Sequence, residues 1–365
     1  MVADCVSPLV LITGGGTGGH VFPGLAAAEV LTRRGARVQW LGTSRGYEAR
    51  LVPAAGIELF TLRVSGLRGK TRWQQLLAPF MLISALLQAM VLMWRLKPDC
   101  VLGTGGFVAG PGGLAAWLLR KPLLIHEQNS IPGTTNRLLS KIADKVLCGF
   151  PTSFANHPRA QFVGNPVREE IQQVAEPQKR LENREGELRV LVLGGSQGSR
   201  AINRAVCDTL SQLAPTARPT LWHQCGQLDE QRCRQQYHDA GIEVRLDVFI
   251  NDVAGSLSWA DLVICRAGAL TVAEIACAGV AALFVPLPNA IDDHQRHNAR
   301  WLAENNAAML REEAELTPAF LIDLFEQCQQ NRGVLLQTAS SAREMGMPAA
   351  SETVANLCLE VCDGR

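Results

Sequence analysis

The stretch VLITGGGTGGHVFPG, Val10 to Gly24, runs directly into LAAAEVLTRRG, Leu25 to Gly35. An apolar, β-branched segment before the glycines reads as a buried strand. The segment after them reads as a helix closed by a C-terminal glycine. Gly14, Gly16 and Gly19 have the G-x-G-x-x-G spacing in which backbone N–H groups and a helix N-terminus cradle a phosphate.

Working outward, strands alternate with helices along the whole chain. Strands are expected at Leu9–Thr13, Val38–Leu41, Cys100–Leu102, Leu123–His126 and Lys145–Cys148. A second set is expected at Arg189–Leu193, Thr220–Gln224, Val244–Val248, Leu262–Ile264, Ala281–Val285 and Ala308–Leu310. Helices such as Leu25–Arg34, Gly113–Leu119, Ala201–Leu213, Asp229–Ala240 and Thr271–Ala278 separate them. This alternation implies an α/β chain with two Rossmann-like, doubly wound parallel sheets. The polar run Gln172 to Glu187 reads as a loop into the second domain, which opens with its own glycine turn, RVLVLGGSQGSRAIN. A third, weaker copy is DCVLGTGGFVAGPGG, Asp99 to Gly113. In open parallel sheets, ligands bind beyond the carboxyl ends of the strands, where all three turns fall.

A dinucleotide fold needs an acid at the end of its second strand to hold a ribose. The second strand here reads VQWLGTSRGYEAR, with no acid from Val38 to Tyr47, and Glu48 comes late. Arg45 is thin support for a 2′-phosphate. The extra glycines Gly15 and Gly18, with His20 directly after, suit a wide phosphate loop better than a nicotinamide turn.

The bulk numbers set limits. The chain has 365 residues, is 47% hydrophobic and carries a net charge of +1. That is enough for two cores and argues against a general nucleic-acid binder. Residues 1–165 carry a net +10 and residues 166–365 a net −9, so the front half suits an anionic surface or a phosphorylated ligand. The eleven cysteines are scattered without a C-x-x-C pair. They read as reduced core residues rather than metal ligands, in a cytoplasmic setting. The N-terminal segment has no basic n-region, so no signal peptide is expected.

Leu76 to Trp94 is uncharged over 19 residues, long enough to span a bilayer. Pro79, Ser84, Gln88 and the strand that follows favour a crossover helix, buried over Ser84 to Trp94. Its front end differs: Arg68, Lys70 and Arg72 stand beside Trp73, Leu76, Leu77 and Phe80, as in a surface resting on anionic lipid. Core packing is the competing reading.

The motifs GGGTGGHVFPG, GTGGFVAGP, HEQNSIPGTTNR (His126 to Arg137), GNPVR (Gly164 to Arg168), GGSQGS, RAGALTVAE (Arg266 to Glu274) and DDHQRHNA (Asp292 to Ala299) follow in this order. Together they resemble the MurG family of UDP-N-acetylglucosamine transferases of peptidoglycan synthesis, over almost the whole chain. The resemblance implies a GT-B fold, two Rossmann-like domains facing across a cleft. Residues 1–165, with a tail of about 343–365, would take the acceptor at the membrane, and residues 166–342 would take UDP-GlcNAc. The acceptor would be undecaprenyl-diphospho-MurNAc-pentapeptide (lipid I) and the product lipid II. The partners implied are these two substrates, the anionic cytoplasmic face of the bacterial inner membrane, and other cell-wall synthesis and division proteins, with no nucleic acid.

Residue by residue, the resemblance places Thr17, Gly18 and Gly19 near the donor sugar and Asn129 on it. Arg168 and Ser196 fall on the diphosphate. Ile250 would bond uracil through its backbone. Ala269, Leu270, Thr271, Val272, Ala273 and Glu274 would wrap diphosphate and ribose. His294 and Gln295 would read the sugar hydroxyls, although many relatives have glutamine where His294 stands. Gly15, Gly16, Gly105, Gly106 and Phe107 would form the acceptor-diphosphate side. His20, at a helix start where the dipole disfavours an imidazolium, is the candidate base, and Glu127 its rival. Thr271 and Glu274 also spell a capping box, Ser196 fits an ordinary turn, and His20 could merely pack. No Asp-x-Asp clasp accompanies the donor motifs, so neither metal nor cofactor is expected. The alternatives are an oxidoreductase, a non-catalytic nucleotide binder, or another UDP-sugar enzyme such as an epimerase or a glycolipid glycosyltransferase.

Overall fold

The computed structural model describes residues 7–64, 78–182, 184–195, 198–288 and 290–363. The chain divides into two compact units, Met1–Arg168 with Pro348–Arg365, and Glu169–Met347.

The first unit holds β1 (Leu9–Gly14), β2 (Arg37–Gly42), β3 (Glu58–Thr61), β4 (Cys100–Gly105), β5 (Leu123–Glu127), β6 (Lys145–Cys148) and β7 (Ala160–Phe162). They form one parallel sheet in the order β3-β2-β1-β4-β5-β6-β7. The central strands β1, β4 and β5 are buried along their whole length, because helices cover both faces, and so they read as unbroken apolar runs. The edge strands β3 and β7 are half-exposed and short. They carry no such run and had no sequence signature.

One face is covered by the helix Gly18–Arg33 and by the last helix, Ala350–Asp363. Val354, Ala355 and Cys358 share a core with Val10, Ile12, Leu31 and Trp40. Ser351 Oγ donates to Val167 O at 3.2 Å, and Arg33 pairs with Glu352 at 2.7 Å. The other face is covered by Ala78–Leu96 and Ala109–Leu118.

Ala78–Leu96 corrects one expectation. Only Ala78, Ala85, Ala89 and Met93 of this helix are buried, so Ser84 to Trp94 is not a core segment. Small residues line its inner face and let it lie close to its neighbours, while Ile83, Leu87 and Val91 are exposed, with Phe80 73% and Trp94 71% accessible. The helix is long and apolar enough to cross a membrane. It nonetheless joins β3 to β4, two strands of one sheet, which a span would separate. Arg68, Lys70, Arg72, Trp73, Leu76 and Leu77 lie outside the described residues.

The second unit repeats the topology with β8 (Arg189–Leu193), β9 (Thr220–Gln224), β10 (Arg245–Asp247), β11 (Leu262–Cys265), β12 (Ala281–Phe284) and β13 (Met309–Leu310). All are parallel, in the order β10-β9-β8-β11-β12-β13. The run expected to be a loop contains the short helix Pro177–Leu181. Its Arg180 is buried and donates to the carbonyls of Leu257, Ala260 and Gly279. These lie at helix C-terminal ends, where a cation satisfies orphan acceptors.

His223, at the end of β9, is fully buried. Its Nδ1 lies 2.8 Å from Tyr237 Oη and its Nε2 3.0 Å from Asn203 Oδ1. The Nε2–H therefore donates to the amide oxygen and Nδ1 accepts from the phenol. Burial pushes the pKa down to about 4, against a smaller opposing pull from Asp229. An unfolded histidine titrates near 6.5, so between about pH 6.5 and 4 the unfolded chain binds the extra proton. Stability contributed by this residue is fully present above pH 6.5 and falls as the pH drops, by about 3 kcal/mol at pH 4. Urea midpoints measured from pH 7 to 4.5 should fall, and His223→Gln should flatten that slope. An unchanged slope would show that another group dominates.

Candidate active site

At the first unit's switch point, β1 and β4 lie side by side and Gly14 pairs with Gly105 across a register shift. Helices leave these two strands in opposite directions along the sheet, which opens a crevice at their carboxyl ends. Gly16, Gly105 and Gly106 have φ of +93°, +99° and +78°, a region that only glycine enters freely. A side chain at Gly106 would collide with the Gly15 carbonyl, and one at Gly16 would touch the Phe107 ring. The two loops therefore meet backbone to backbone.

The helix begins at Gly18, with Thr17 as its N-cap, and runs through Pro23. The glycine loop is accordingly shorter than the glycine-rich sequence. Gly24 is a packing residue, because a side chain there would strike Trp40, whose Nε1 donates to Gly14 O at 2.9 Å. His20 sits in the helix's first turn, half-buried, with Nδ1 3.2 Å from Thr17 Oγ1. Its ring lies against Gly105, where a Cβ would come within 2.8 Å of Cδ2. Glycine at 105 is thus what lets the imidazole reach across the end of β4.

Glu48, which comes too late in the sequence to hold a ribose, is fully buried behind the loop. Its carboxylate accepts from Gly16 N at 2.9 Å, Thr43 N at 3.0 Å and Thr43 Oγ1 at 2.6 Å. Gly15, Gly42 and Gly46 pack around it, each without room for a side chain. The acid after the second strand serves the loop's own amide rather than a sugar. The cluster of glycines around one buried carboxylate was the available signal.

Glu127 is buried at the end of β5. Oε1 accepts from Asn129 N at 3.0 Å and Asn129 Nδ2 at 3.3 Å. Oε2 accepts from Gly133 N at 3.0 Å and Asn136 Nδ2 at 2.9 Å. Four donors occupy its lone pairs, so it organises the HEQN turn and is poorly placed to take a substrate proton. Asn129 is half-buried beside it. Arg168 ends the first unit, with its guanidinium carbon 5.8 Å from the Phe22 ring centroid, on the glycine-loop helix.

The second unit has its own switch point, between β8 and β11. The glycine turn leaves β8 and RAGAL leaves β11; Ser196 lies outside the described residues. The helix Ala269–Ala278 has Gly268 as its N-cap. Thr271 is therefore inside the first turn, and no capping box forms with Glu274. Leu270, Thr271 and Glu274 are partly exposed. Val272 and Ala273 are buried, and Val272 N bonds Gly268 O at 3.0 Å within the helix. Ala269 is buried too, which leaves its backbone at the helix start as its presented part. Arg266 is structural, bonded to the carbonyls of Val285 and Pro286 and paired with Glu313. Ile250 is buried in the loop before the helix Val253–Trp259. His294 and Gln295 open the helix His294–Ala303, and Gln295 Oε1 accepts from Leu287 N at 3.0 Å. Among the described residues, no three His, Cys, Asp or Glu gather as a metal site.

Each unit matches a family model. Residues 10–148 match the glycosyltransferase family 28 N-terminal domain, and residues 189–354 its C-terminal domain. The chain belongs to glycosyltransferase family 28, in its MurG branch. A relative from Nitrosococcus oceani, named UDP-N-acetylglucosamine--N-acetylmuramyl-(pentapeptide) pyrophosphoryl-undecaprenol N-acetylglucosamine transferase, is 50% identical over 97% of this chain and 99% of its own. A Marinobacter nauticus protein of the same name is 47% identical over 97% and 98%. The crystal structure of Acinetobacter baumannii MurG superposes with a TM-score of 0.82, at 40% identity over 97% of this chain and 99% of the other. The chain is thus an N-acetylglucosaminyltransferase of GT-B type.

The Glu48 cradle is open to a direct test. Glu48→Gln keeps the volume but presents an N–H where only acceptors fit. It should cost about 2 kcal/mol of stability, read as a lower urea midpoint. An unchanged midpoint would mean that the carboxylate does not hold the loop.

Proposed function

We propose that the chain transfers GlcNAc from UDP-GlcNAc to the MurNAc 4-hydroxyl of lipid I, with inversion, giving lipid II. Near-full-length identity to relatives bearing that name supports the substrate pair. The observation that carries the mechanism is His20, half-buried at the first turn of a helix, beside two glycine loops and hydrogen-bonded to Thr17. With Nδ1 bonded to Thr17 Oγ1, Nε2 is assigned as the nitrogen that takes the proton. The acceptor hydroxyl oxygen bonds the anomeric carbon, its proton passes to Nε2, and the bond to the UDP oxygen breaks. The charge developing on UDP is met by Arg168 and by N–H groups at helix starts.

In this reading Gly15, Gly16, Gly105, Gly106 and Phe107 bind the acceptor diphosphate, and Thr17, Gly18 and Gly19 line the sugar. On the donor, Asn129, His294 and Gln295 take the GlcNAc hydroxyls and Glu274 the ribose. Ile250 takes the uracil, and Ser196 and the backbone of Ala269 to Thr271 take the diphosphate. Glu127 acts as an organiser of the turn, not as the base.

We further propose that the first unit rests on the cytoplasmic face of the inner membrane. Phe80, Ile83, Leu87, Val91 and Trp94 form one exposed stripe. Trp117 and Leu138 on neighbouring helices are also exposed, as are Arg95, Lys97, Arg120 and Lys141. An exposed apolar stripe with nearby cations fits an anionic bilayer surface.

His20→Ala should lower kcat by roughly 10²–10⁴-fold in a UDP-release assay with a short-chain lipid I analogue, with UDP binding retained. A loss of only a few-fold would move the proton elsewhere. Phe80→Ser with Trp94→Ser should weaken co-sedimentation with anionic vesicles without altering UDP binding. If sedimentation is unaffected, the stripe is not the membrane surface.

A further inference from the structure

His126 and Gln128 flank Glu127, and the transfer mechanism uses neither. Both are buried, at 1% exposure. His126 Nε2 lies 3.0 Å from Gly164 O. A carbonyl can only accept, so Nε2 carries the proton and Nδ1 is an acceptor. Gln128 Nε2 lies 3.1 Å from that Nδ1, 3.1 Å from His126 O and 2.9 Å from Thr104 O. Three acceptors around one nitrogen fix the orientation of the amide. Asn165 Nδ2 then donates to Gln128 O at 3.0 Å, and Asn136 Nδ2 to His126 O at 3.1 Å.

These bonds join three segments that are far apart in sequence. Thr104 lies at the end of β4, next to Gly105, against which His20 packs. His126 to Asn129 form the HEQN turn. Gly164 and Asn165 open the segment that ends in Arg168. We propose that His126 and Gln128 are a positioning pair that holds these three segments in one register, so that His20, Asn129 and Arg168 are presented together. This rests on the transfer reading above.

Two further observations support it. Burial lowers the His126 pKa, outweighing the bond to Gly164 and the charge of Glu127, so the ring stays in the neutral form that both bonds require. Thr104, Asn136 and Asn165, the partners of the pair, are themselves buried, so these bonds lie where solvent does not compete for the donors and acceptors.

Three variants test the pair: Gln128→Leu, His126→Leu and His126→Gln, whose amide N–H reaches the place of Nε2. Activity is measured per folded molecule, with the folded fraction taken from urea unfolding of the same samples. The two leucine variants should lose about 10²-fold in kcat for GlcNAc transfer, as expected of a misplacement near 1 Å. UDP should still stabilise them thermally. His126→Gln should recover to within about tenfold of the native protein, because it keeps the Gly164 bond. The proposal is overturned if kcat per folded molecule is unchanged in the leucine variants, or if His126→Gln is no better than His126→Leu. Ring ¹⁵N NMR of the native protein gives a readout independent of transfer. The Nε2–H tautomer is expected from pH 6 to 8, and an Nδ1–H tautomer would overturn the pair. A native protein that shows this tautomer but transfers no GlcNAc would instead overturn the transfer reading.

Discussion

At the ends of β1 and β4 the carbonyl of Gly15 lies against the backbone of Gly106, in space that any side chain would fill. This contact sets the spacing of the first unit's site. It lets two loops share one crevice and brings the His20 ring over Gly105, beside the start of the glycine-loop helix. Glycine is entropically costly in an ordered chain, and the surroundings offset that cost. The buried carboxylate of Glu48 fixes Gly16 from behind, and Trp40 holds the Gly14 carbonyl. The glycine-rich stretch is thereby held at two points by buried side chains.

The central strands and the glycine turns were legible because a parallel sheet covered on both faces writes itself as unbroken apolar runs ending in glycine. The edges were not. β3 and β7 have half their surface in solvent and rely on a single neighbour, so their residues look like loop. The start of the first helix was obscured because Gly18, Gly19 and Pro23 are poor helix formers. Tertiary contact with β2 decides the matter there, through the fit of Gly24 to Trp40.

At the site, the sequence separates residues that do chemistry from residues that hold them only when distance along the chain is small. The link from Glu48 to Gly16, and those from Gln128 to Thr104 and from His126 to Gly164, close over long loops. No local pattern announces them. Glu127 is the converse case: a motif acid invites a catalytic role, and its four donors are legible only in the structure.

The last helix, Ala350–Asp363, supplies Val354, Ala355 and Cys358 to the core built on the first strand. On the ribosome, the chain's beginning must therefore wait for its end. The second unit, Glu169–Met347, emerges complete before the first can close. At about 5–20 residues per second, that interval is on the order of ten to forty seconds. Through it, the apolar side of β1 and of the glycine-loop helix is without its final cover. A chain of this architecture completes the core of its first-made unit last.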